Sequence, residues 1–405
     1  MKDLNCDIES DHVMAVTEST GVNQGNSSSR THFPVLHQFL EQALSRNQVM
    51  GAVVLVAHQG QVVLSYVGGW ADKEKARPMH EDTVFRLGSL SKSVSSWLAL
   101  CLSEQGLISL KDRITRYLPN FGPHFESECP PIAIHQLLTH TSGLSYRFID
   151  GEESLYAQAQ ISDGIDRVDL SWQENFRRVC SVPLRFAPGT GWRYSLGIDV
   201  VGKALEVASG KGLAQLLEET ISAPLGLQHC SFYERDYYQI AAHYQNHAAG
   251  LSRAEGALDL GIGVLRFDES LMSRPSTPVY AGASMLGSGP DLMRILLGLR
   301  NGRLLSRSSY QAFLSDHVPH SSKCMWRNWG YTYGAAISRL EPDATMPMSA
   351  GSVQWVGAFG QKWMFDPHKD VIIVSMTNTA PEGLFGAFPD QVRDAVYTDL
   401  GLMPG

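Results

Sequence analysis

An α/β fold is predicted by the order in which strand-like and helix-like segments follow one another along the chain. Strand patterns occupy residues 52–57 and 61–67 and return past residue 280, whereas helical spacing of apolar residues prevails from about 112 to 275. A sheet built from both ends of the chain, with a helical insertion between them, satisfies this order.

The first elements are predicted from local patterns. Apolar residues at helical spacing predict a helix over Phe33 to Arg46. Gln59 and Gly60 join the two strand-like segments into a hairpin, because glycine gives the backbone the freedom that a tight turn needs. The first strand, Ala52 to Ala57, is apolar at every position, so we expect it to be central and covered on both faces.

The later helices and strands are predicted from the same two patterns, which are the helical spacing of apolar residues and strand-like apolar segments. Gly106 is expected to end the first of the later helices, because glycine readily takes the conformation that closes a helix. The predicted later helices cover Ser91–Gln105, Ile134–Leu138, Leu196–Ala208 and Pro389–Leu400. The predicted late strands cover Tyr331–Arg339, Gln361–Phe365 and Val371–Met376.

These patterns divide the chain into three regions. Residues 1–30 show no periodicity and end in a serine-rich stretch, so we expect them to form a mobile tail. Residues 31–115 and 278–405 are expected to form an α/β sheet domain. Residues 116–277 are expected to form a helical domain inserted between the two halves of the sheet domain.

The composition excludes several classes of protein. Of the 405 residues, 43% are hydrophobic and 18% are charged, which is typical of a packed globular chain and not of a disordered one. Acidic residues outnumber basic ones by 41 to 33, giving a net charge of −8, so we expect no nucleic-acid partner. No apolar run approaches the roughly 18 residues of a membrane span, so we expect no membrane partner either.

The start of the chain and its cysteines predict the cellular compartment. Residues Met1 to Cys6 lead into acidic and polar residues and lack the apolar stretch of a secretory signal. None of the 6 cysteines belongs to a Cys-x-x-Cys pair, so we expect reduced thiols and no disulfide framework. Both observations favour a cytoplasmic protein.

The local pattern with the clearest chemistry is a serine followed by a lysine three residues later. Ser89 stands where an apolar helix pattern begins, and Lys92 follows on the same helix face one turn later. A buried lysine with a lowered pKa can take the serine proton, and the N–H groups at a helix N-terminus can stabilise an oxyanion. The alternative is an ordinary helix cap, Ser89, with a surface lysine beside it.

Three ordered motifs place this pair in a wider context. They are Phe85–Ser93, the Leu-Leu-Thr-His-Thr-Ser-Gly-Leu stretch within Ile134–Leu144, and Pro188–Ser195. Together they resemble motifs of the class C β-lactamases, the penicillin-binding proteins and the family VIII carboxylesterases, and the resemblance extends from about residue 35 to the C-terminus. It implies the β-lactamase/transpeptidase-like fold, in which helices flank an antiparallel sheet and a helical insertion domain is added.

The resemblance implies a role for three side chains. Ser89 would be the nucleophile that becomes acylated, Lys92 its base partner, and Tyr194 the residue that shares a proton with Lys92. The chemistry agrees, because a phenol beside an ammonium ionises more readily and a lysine beside a phenolate can relay a proton. Either Lys92 or Tyr194 could be the base in the resting enzyme. The alternative for Tyr194 is a half-buried core residue.

Two positions depart from the β-lactamase pattern. Leu196 stands where the Tyr-x-Asn motif has its asparagine, and Trp355-Val356-Gly357 stands where a Lys-Thr-Gly motif is expected. An amide and an ammonium group that would hold a polar, carboxylate-bearing substrate are therefore missing. Both variants resemble those of the family VIII esterases and argue against β-lactamase and peptidase activity.

The same departure implies which groups would face the substrate. The backbone N–H of Ala358, directly after Gly357, would be a second oxyanion donor beside the N–H of Ser89. Trp355 would form a wall of the substrate pocket. The alternative for Trp355 is a core tryptophan, because large aromatic side chains are buried by default.

The leading function is a serine carboxylesterase that acts on a small-molecule ester or acyl substrate through a covalent acyl-enzyme. The first alternative is an acyltransferase or thioesterase that passes the acyl group to an alcohol or amine. β-Lactamase or peptidase activity is less favoured. A non-catalytic binding module is disfavoured because Ser89, Lys92 and Tyr194 are all present. We expect the site in the cleft between the two domains.

No metal and no other cofactor is expected. His243 and His247 lie four residues apart and His317 and His320 three apart, but spacing marks no third ligand and no His-Glu-x-x-His motif is present. The chain also lacks the Gly-x-Ser-x-Gly motif of α/β-hydrolases and the glycine-rich phosphate loops. His140 is predicted to satisfy backbone groups at the end of its helix.

Overall fold

An antiparallel sheet of eight strands forms the framework of the protein. It is built from both ends of the chain, as the sequence predicts. The predicted tail, residues 1–30, lies outside the residues that the structure describes. The computed structural model describes residues 31–167, 169–235, 240–247, 250–272, 278–322, 324–343 and 345–404.

The described strands are between 2 and 12 residues long, and the longest, β2, forms with β1 the hairpin that the sequence predicts. Across the large sheet their order is β10-β11-β12-β13-β14-β1-β2-β3, and smaller sheets join β15-β5-β6, β4-β9 and β7-β8. The strands are β1 (Gly51–His58), β2 (Gln61–Asp72), β3 (Arg77–Pro78), β4 (Phe85–Arg86), β5 (Tyr244–His247), β6 (Gly250–Arg253), β7 (Ala257–Asp259), β8 (Val264–Arg266), β9 (Leu286–Gly287), β10 (Trp329–Tyr331), β11 (Ala336–Ser338), β12 (Val353–Gly357), β13 (Gln361–Asp366), β14 (Val371–Thr377) and β15 (Thr379–Ala380).

The described helices cover the large sheet and fill the middle of the chain. Short 3₁₀ turns lie at Ile114–Arg116 and Glu269–Met272, and a π-helical turn lies at Glu218–Ser222. The α-helices are α1 (Pro34–Ser45), α2 (Leu90–Glu104), α3 (Ile134–Leu138), α4 (Arg147–Asp150), α5 (Leu155–Gln158), α6 (Trp172–Cys180), α7 (Gly197–Ser209), α8 (Leu213–Leu217), α9 (Ala223–Leu225), α10 (Gly289–Arg300), α11 (Arg307–Phe313) and α12 (Phe388–Asp399).

Strand β1 is central and buried on both faces, which confirms the prediction made from its continuous apolar run. It pairs with β14 on one side and β2 on the other. Val53 and Leu55 point into a core shared with α2, whereas Val54 and Val56 point into a second core shared with α1 and α12. Alternate residues of one strand therefore hold the two layers of helices together.

The predicted helices are confirmed, with boundaries shifted by at most one residue. One predicted strand is wrong in form. Tyr331–Arg339 is not a single strand but the end of β10, a turn and β11, because Gly334 takes a left-handed φ of 80° between them. The sequence also gives no sign of strands β5 to β8, which lie between helix α9 and strand β9.

These short strands depend on partners that lie far away in the chain. Strand β5 pairs in parallel with β15, which is the segment directly after the last strand of the large sheet. Strands β7 and β8 form a hairpin of three residues on each side. Segments this short carry too few alternating residues to be recognised, and their pairing is fixed by tertiary contacts.

None of the helices in the described part of the chain combines the length and the apolar character that crossing a membrane requires. Cysteines in the described ranges are free thiols, namely Cys101, Cys129, Cys180, Cys230 and Cys324. Helix α2 packs against α7 and β12, and this junction holds the residues to which the sequence analysis assigns chemistry.

Candidate active site

Ser89 lies at the start of helix α2, directly before its first residue, Leu90. The short strand β4, paired with β9, leads into this position. Gly88 takes a left-handed φ of 50°, which turns the chain from the strand into the helix. The Ser89 side chain is half-buried, so its hydroxyl stands at the helix N-terminus and is open to a ligand.

Lys92 is fully buried one turn along the same helix. Its Nζ lies 3.4 Å from Ser89 Oγ and donates a hydrogen bond to the carbonyl oxygen of Gly282 at 2.7 Å. Burial lowers the pKa of Lys92 to about 8, although the carboxylates of Asp199 and Asp163 act in the opposite direction. A lysine in this range has a useful neutral fraction near physiological pH and can accept a proton from the serine.

Tyr194 lies in the loop that leads into α7, and its ring covers the Lys92 side chain. Lys92 Nζ is 4.8 Å from the centroid of the Tyr194 ring. The Tyr194 hydroxyl is buried and makes no hydrogen bond of normal geometry to any described residue, although it faces Ser89 and Trp355. Burial raises the pKa of the phenol, and the Ser89 side chain only partly offsets this effect. The hydroxyl is thus neutral, lies beside Ser89 and Trp355, and makes no hydrogen bond of normal geometry within the described part of the chain.

A buried carboxylate that sequence reasoning missed completes this cluster. Asp199, in the first turn of α7, accepts a hydrogen bond from Gly282 N at 2.7 Å and one from the Tyr146 hydroxyl at 3.5 Å. A Cβ built on Gly282 would lie 3.1 Å from both Asp199 carboxylate oxygens and 3.2 Å from Lys92 Nζ, so the two charges meet at this glycine. Burial raises the pKa of Asp199 to about 6, and Lys92 opposes that rise.

The segment after β12 lies opposite Ser89. A Cβ built on Gly88 would lie 3.2 Å from Ala358 N, and both Ser89 and Ala358 line the same cavity. Gly357 does not line the cavity itself. It lies behind it, where a Cβ would approach Leu87 O to 2.4 Å, so only glycine fits there. Two N–H groups arranged in this way can bind one developing oxyanion.

Trp355 lines the cavity and also supports the backbone of Ser89. Its side chain is fully buried, its ring lies 5.5 Å from the Tyr194 ring, and its Nε1 donates a hydrogen bond to the Ser89 carbonyl oxygen at 3.1 Å. Tyr331 and Trp326 pack edge-on against the same indole, at 5.0 Å and 5.8 Å between ring centroids. The two interpretations given for Trp355 in the sequence analysis therefore hold together: it is a core residue that also lines the site.

A narrow cavity with about 30 Å³ of free space opens beside Ser89. Its polar groups are concentrated at the Ser89 end, and most of the remaining wall is aliphatic or aromatic. Asp163 is the buried carboxyl on this wall; burial raises its pKa to about 8, and it accepts hydrogen bonds from the N–H groups of Arg147 and Phe148. The lining residues are Gly88, Ser89, Lys92, Tyr146, Phe148, Asp163, Ile165, Tyr194, Leu260, Ile262, Leu265, Ala283, Met325, Trp355, Val356, Ala358, Leu384 and Phe385.

Of the residues that the sequence analysis assigns to the site, Ser89, Lys92, Tyr194, Trp355 and Ala358 line this one cavity. They come from three separate parts of the chain. Tyr146, Asp199 and Gly282 were not predicted. An acidic residue in the first turn of a helix is ordinarily explained by the helix dipole, so the sequence carries no separate signal for Asp199.

The histidines have structural surroundings. His140 Nδ1 lies 3.2 Å from Ser195 Oγ, and its ring lies 4.8 Å from the Tyr194 ring, so it supports the loop that carries Tyr194. Burial holds the pKa of His140 well below its usual range, which keeps the ring neutral. His243 pairs with Arg86, and His317 with the Ala312 carbonyl oxygen. Over the described ranges, no group of three or more metal-ligating side chains converges.

Comparisons with known proteins agree with this architecture and confirm the predicted fold class. The chain is 36% identical to Esterase EstB of Burkholderia gladioli over 369 residues, which cover 89% of this chain and 94% of that protein. The solved structure of EstCE1, a hydrolase with promiscuous acyltransferase activity, superposes with a TM-score of 0.86 at 33% identity and covers 92% of this chain and 100% of that one.

A more distant structure shares the fold. Unliganded simvastatin synthase from Aspergillus terreus superposes with a TM-score of 0.73 at 21% identity, covering 91% of this chain and 98% of the other. The family model described as Beta-lactamase matches residues 36–397, nearly the whole of the described chain. This protein therefore belongs to the Beta-lactamase family.

Proposed function

We propose that this chain is a serine carboxylesterase that hydrolyses small-molecule esters through an acyl-enzyme on Ser89. The observation that carries the proposal is the buried Lys92 amine 3.4 Å from Ser89 Oγ at the start of α2, beside a mostly apolar cavity. The similarity to an esterase over most of both chains supports the same reaction class.

Acylation follows from the surroundings of these two residues. Neutral Lys92 takes the proton from the Ser89 hydroxyl while Oγ attacks the ester carbonyl carbon. The carbonyl oxygen becomes an oxyanion, which the N–H groups of Ser89 and Ala358 stabilise. We assign the resting base to Lys92 and not to Tyr194, because burial lowers the pKa of the lysine to about 8 and raises that of the phenol.

Collapse of the tetrahedral intermediate requires a proton for the leaving alkoxide. The Tyr194 hydroxyl, which has no hydrogen-bond partner among the described residues, is the donor that we assign to this step. This leaves Tyr194 as a phenolate, which recovers a proton from the Lys92 ammonium beside its ring, so that both side chains return to their neutral forms. Water repeats the sequence at the acyl carbonyl and releases the acid, leaving Ser89 free.

The substrate that suits the cavity is a neutral ester with a short, apolar acyl group. Strand β12 presents Trp355 where a lysine would be needed to hold a substrate carboxylate. Aliphatic side chains from the β7–β8 hairpin, Leu260, Ile262 and Leu265, line the opposite side of the cavity. The free space of about 30 Å³ favours a short acyl group over a long one.

A second activity, transfer of the acyl group to an alcohol or amine, has a specific observation in its favour. The cavity wall is mostly apolar, so it holds water weakly, and an apolar alcohol can compete for the acyl-enzyme. The related hydrolase EstCE1 is described as having promiscuous acyltransferase activity, which supports the same capacity here.

We also propose the organisation and location of the enzyme. The sheet domain comprises residues 31–115 and 278–405, the helical domain residues 116–277, and the cavity between them takes its lining from both. The free thiols of the described cysteines suit a reducing compartment, which supports a cytoplasmic enzyme. The acidic net charge of −8 supports small molecules, and not nucleic acids, as its partners.

The test is to mix the protein with p-nitrophenyl butyrate, follow nitrophenol release and measure the intact mass of the quenched protein. The wild type is expected to release nitrophenol and to carry one butyryl group, and Ser89→Ala to do neither. Ser96→Ala is the matched control, because the Ser96 hydroxyl lies on the same helix, is buried and has no hydrogen-bond partner in the ranges that the structure describes. Turnover by Ser89→Ala at the wild-type rate would refute the proposal.

Transfer is distinguished from hydrolysis by adding butanol at rising concentration. If the acyl-enzyme accepts alcohols, butyl butyrate appears and the yield of butyric acid falls in proportion. Nitrophenol release with butyric acid as the sole product at every butanol concentration would eliminate the second activity and leave the esterase intact.

A further inference from the structure

The free space beside Ser89 is too small for the acyl group of most esters. About 30 Å³ is open there, which is room for about two water molecules. A butyryl group needs more space than this, so part of the cavity wall has to give way when a substrate binds. The solvent exposure of the lining residues indicates where the wall can do so.

Ile262 is the most exposed residue of the cavity wall. Its exposed fraction is 44%, and every other lining residue that the structure describes is buried or half-buried. Its side chain therefore stands between the cavity and the solvent. Because exposed side chains change rotamer within nanoseconds, Ile262 can move aside without any change in the backbone.

The turn that carries Ile262 is held in place by its own backbone and by helix α4. It joins β7 to β8, and Leu260 N donates a hydrogen bond to Gly263 O across it at 3.1 Å. Gly261 and Gly263, on either side of Ile262, take left-handed φ values of 75° and 145°. A Cβ built on Gly263 would collide with the Phe148 carbonyl oxygen, so the turn rests directly on the backbone of α4. The backbone at Ile262 is therefore held at a defined position beside the cavity.

The buried residues of the hairpin lie on the side of the cavity that Ala358 forms. Leu260 and Leu265 pack in one hydrophobic cluster with Ala358 and Leu384. Tyr194, which we assign as the proton donor to the leaving alkoxide, packs in a different cluster. We therefore expect the leaving alcohol next to Tyr194 and the acyl chain next to the hairpin.

We propose that Ile262 is the residue that limits the length of the acyl chain that this enzyme accepts. A short acyl group fits once the Ile262 side chain rotates, whereas a longer chain has to extend into the volume that this side chain occupies. The favoured substrates are therefore esters of short aliphatic acids. This inference rests on the proposed esterase activity and names the residue that determines its substrate range.

The test measures kcat/KM of the full-length protein and of hairpin variants for p-nitrophenyl acetate, butyrate and octanoate. Ile262→Ala shortens the side chain at the mouth of the cavity, so the ratio of kcat/KM for octanoate to that for butyrate is expected to rise at least about tenfold. Ile262→Trp fills the mouth and is expected to lower the ratio of butyrate to acetate by about the same factor. Because each ratio is taken within one protein sample, incomplete folding of a variant does not affect it.

Val264→Ala is the matched control. Val264 belongs to the same hairpin and is 46% exposed but lies outside the described lining of the cavity, so this variant should keep both wild-type ratios. If Ile262→Ala left the ratios unchanged, or if Val264→Ala shifted them equally, Ile262 would not limit the chain length, although the esterase activity would stand. A wild type that hydrolyses none of the three esters would refute the proposed function and this inference with it.

Discussion

The indole Nε1 of Trp355 donates a hydrogen bond to the backbone carbonyl oxygen of Ser89 at 3.1 Å. This contact joins the middle of β12 directly to the start of α2. Trp355 therefore has two functions. Its side chain holds the Ser89 peptide group in place, and it also lines the cavity.

Replacing Trp355 by phenylalanine keeps an aromatic wall but removes the donor. We expect kcat/KM for p-nitrophenyl butyrate to fall about tenfold, the effect of losing one buried hydrogen bond that positions the reacting group. Steady-state kinetics at several substrate concentrations measure this. Trp326→Phe is the control, because Trp326 packs against Trp355 without bonding to Ser89. Equal losses in the two variants would show that aromatic packing, and not the hydrogen bond, is responsible.

Tyr194→Phe separates catalysis from stability. Its hydroxyl is buried and has no hydrogen-bond partner among the described residues, so removing it leaves no other group unsatisfied. We expect activity to fall by about 10² to 10⁴, the usual contribution of a positioned acid or base, with no decrease in the melting temperature. Ester hydrolysis and thermal unfolding are measured on the same sample.

The matched control is Tyr331→Phe. The Tyr331 hydroxyl is likewise buried without a described partner, and its ring packs on Trp355, but it does not line the cavity. This variant should keep both its stability and most of its activity. If both variants lost activity equally, Tyr194 would be a packing residue and the proton-donor assignment would fail.

Much of this arrangement was accessible from the sequence, for identifiable reasons. The start of α2 and the shared helix face of Ser89 and Lys92 are local properties of the helix, which periodicity reveals directly. The burial of β1 on both faces follows from its unbroken apolar run. In each case the physical cause lies within one segment of the chain.

The parts that could not be predicted depend on contacts between distant segments. Gly282 accepts the hydrogen bond from Lys92 and donates one to Asp199, yet it lies far from both in the chain. Nothing local to Asp199 distinguishes it from an acid that stabilises a helix N-terminus. The β7–β8 hairpin that supplies Leu260 and Leu265 to the cavity is likewise too short to be recognised.

Asp199 is expected to influence the pH at which activity rises, because its carboxylate acts on the pKa of Lys92. Lys92 must be neutral to act as a base, so kcat/KM should rise with pH through about 8, the pKa of Lys92. The groups that act on this amine are the carboxylates of Asp199 and Asp163, which raise its pKa, and the Tyr146 and Tyr194 rings beside it. Asp199, with a pKa of about 6, is already ionised where Lys92 titrates, whereas Asp163, with a pKa of about 8, is only partly ionised there. Asp199→Asn therefore removes the larger of the two negative charges.

The direction of the pH shift follows from the loss of the Asp199 charge. Without the Asp199 charge the pKa of Lys92 falls, and the rising limb of the pH profile moves to lower pH. A profile of kcat/KM for p-nitrophenyl butyrate between pH 5 and 10 measures the shift, with Asp343→Asn as a control, since Asp343 caps an exposed turn. A limb that stays at the wild-type pH would show that Lys92 is not the group that titrates.

Gly88→Ala tests the oxyanion site. A methyl group on Gly88 would lie 3.2 Å from Ala358 N and would therefore cover one of the two donors. Losing one such donor typically lowers kcat by about 10² to 10³, and we expect a loss of that size. The left-handed φ of 50° at Gly88 adds backbone strain, which lowers stability as well.

Gly106→Ala provides the comparison that separates these two effects. Gly106 ends the same helix with a φ of 75°, and a Cβ built there has no neighbour within 4 Å. Alanine at position 106 would therefore strain the backbone without contacting any neighbouring group. We expect Gly106→Ala to lower the melting temperature but to keep wild-type kcat, measured well below the unfolding transition. If Gly88→Ala also kept wild-type kcat, Ala358 N–H would not be an oxyanion donor, and the second donor would have to be sought elsewhere along the cavity wall.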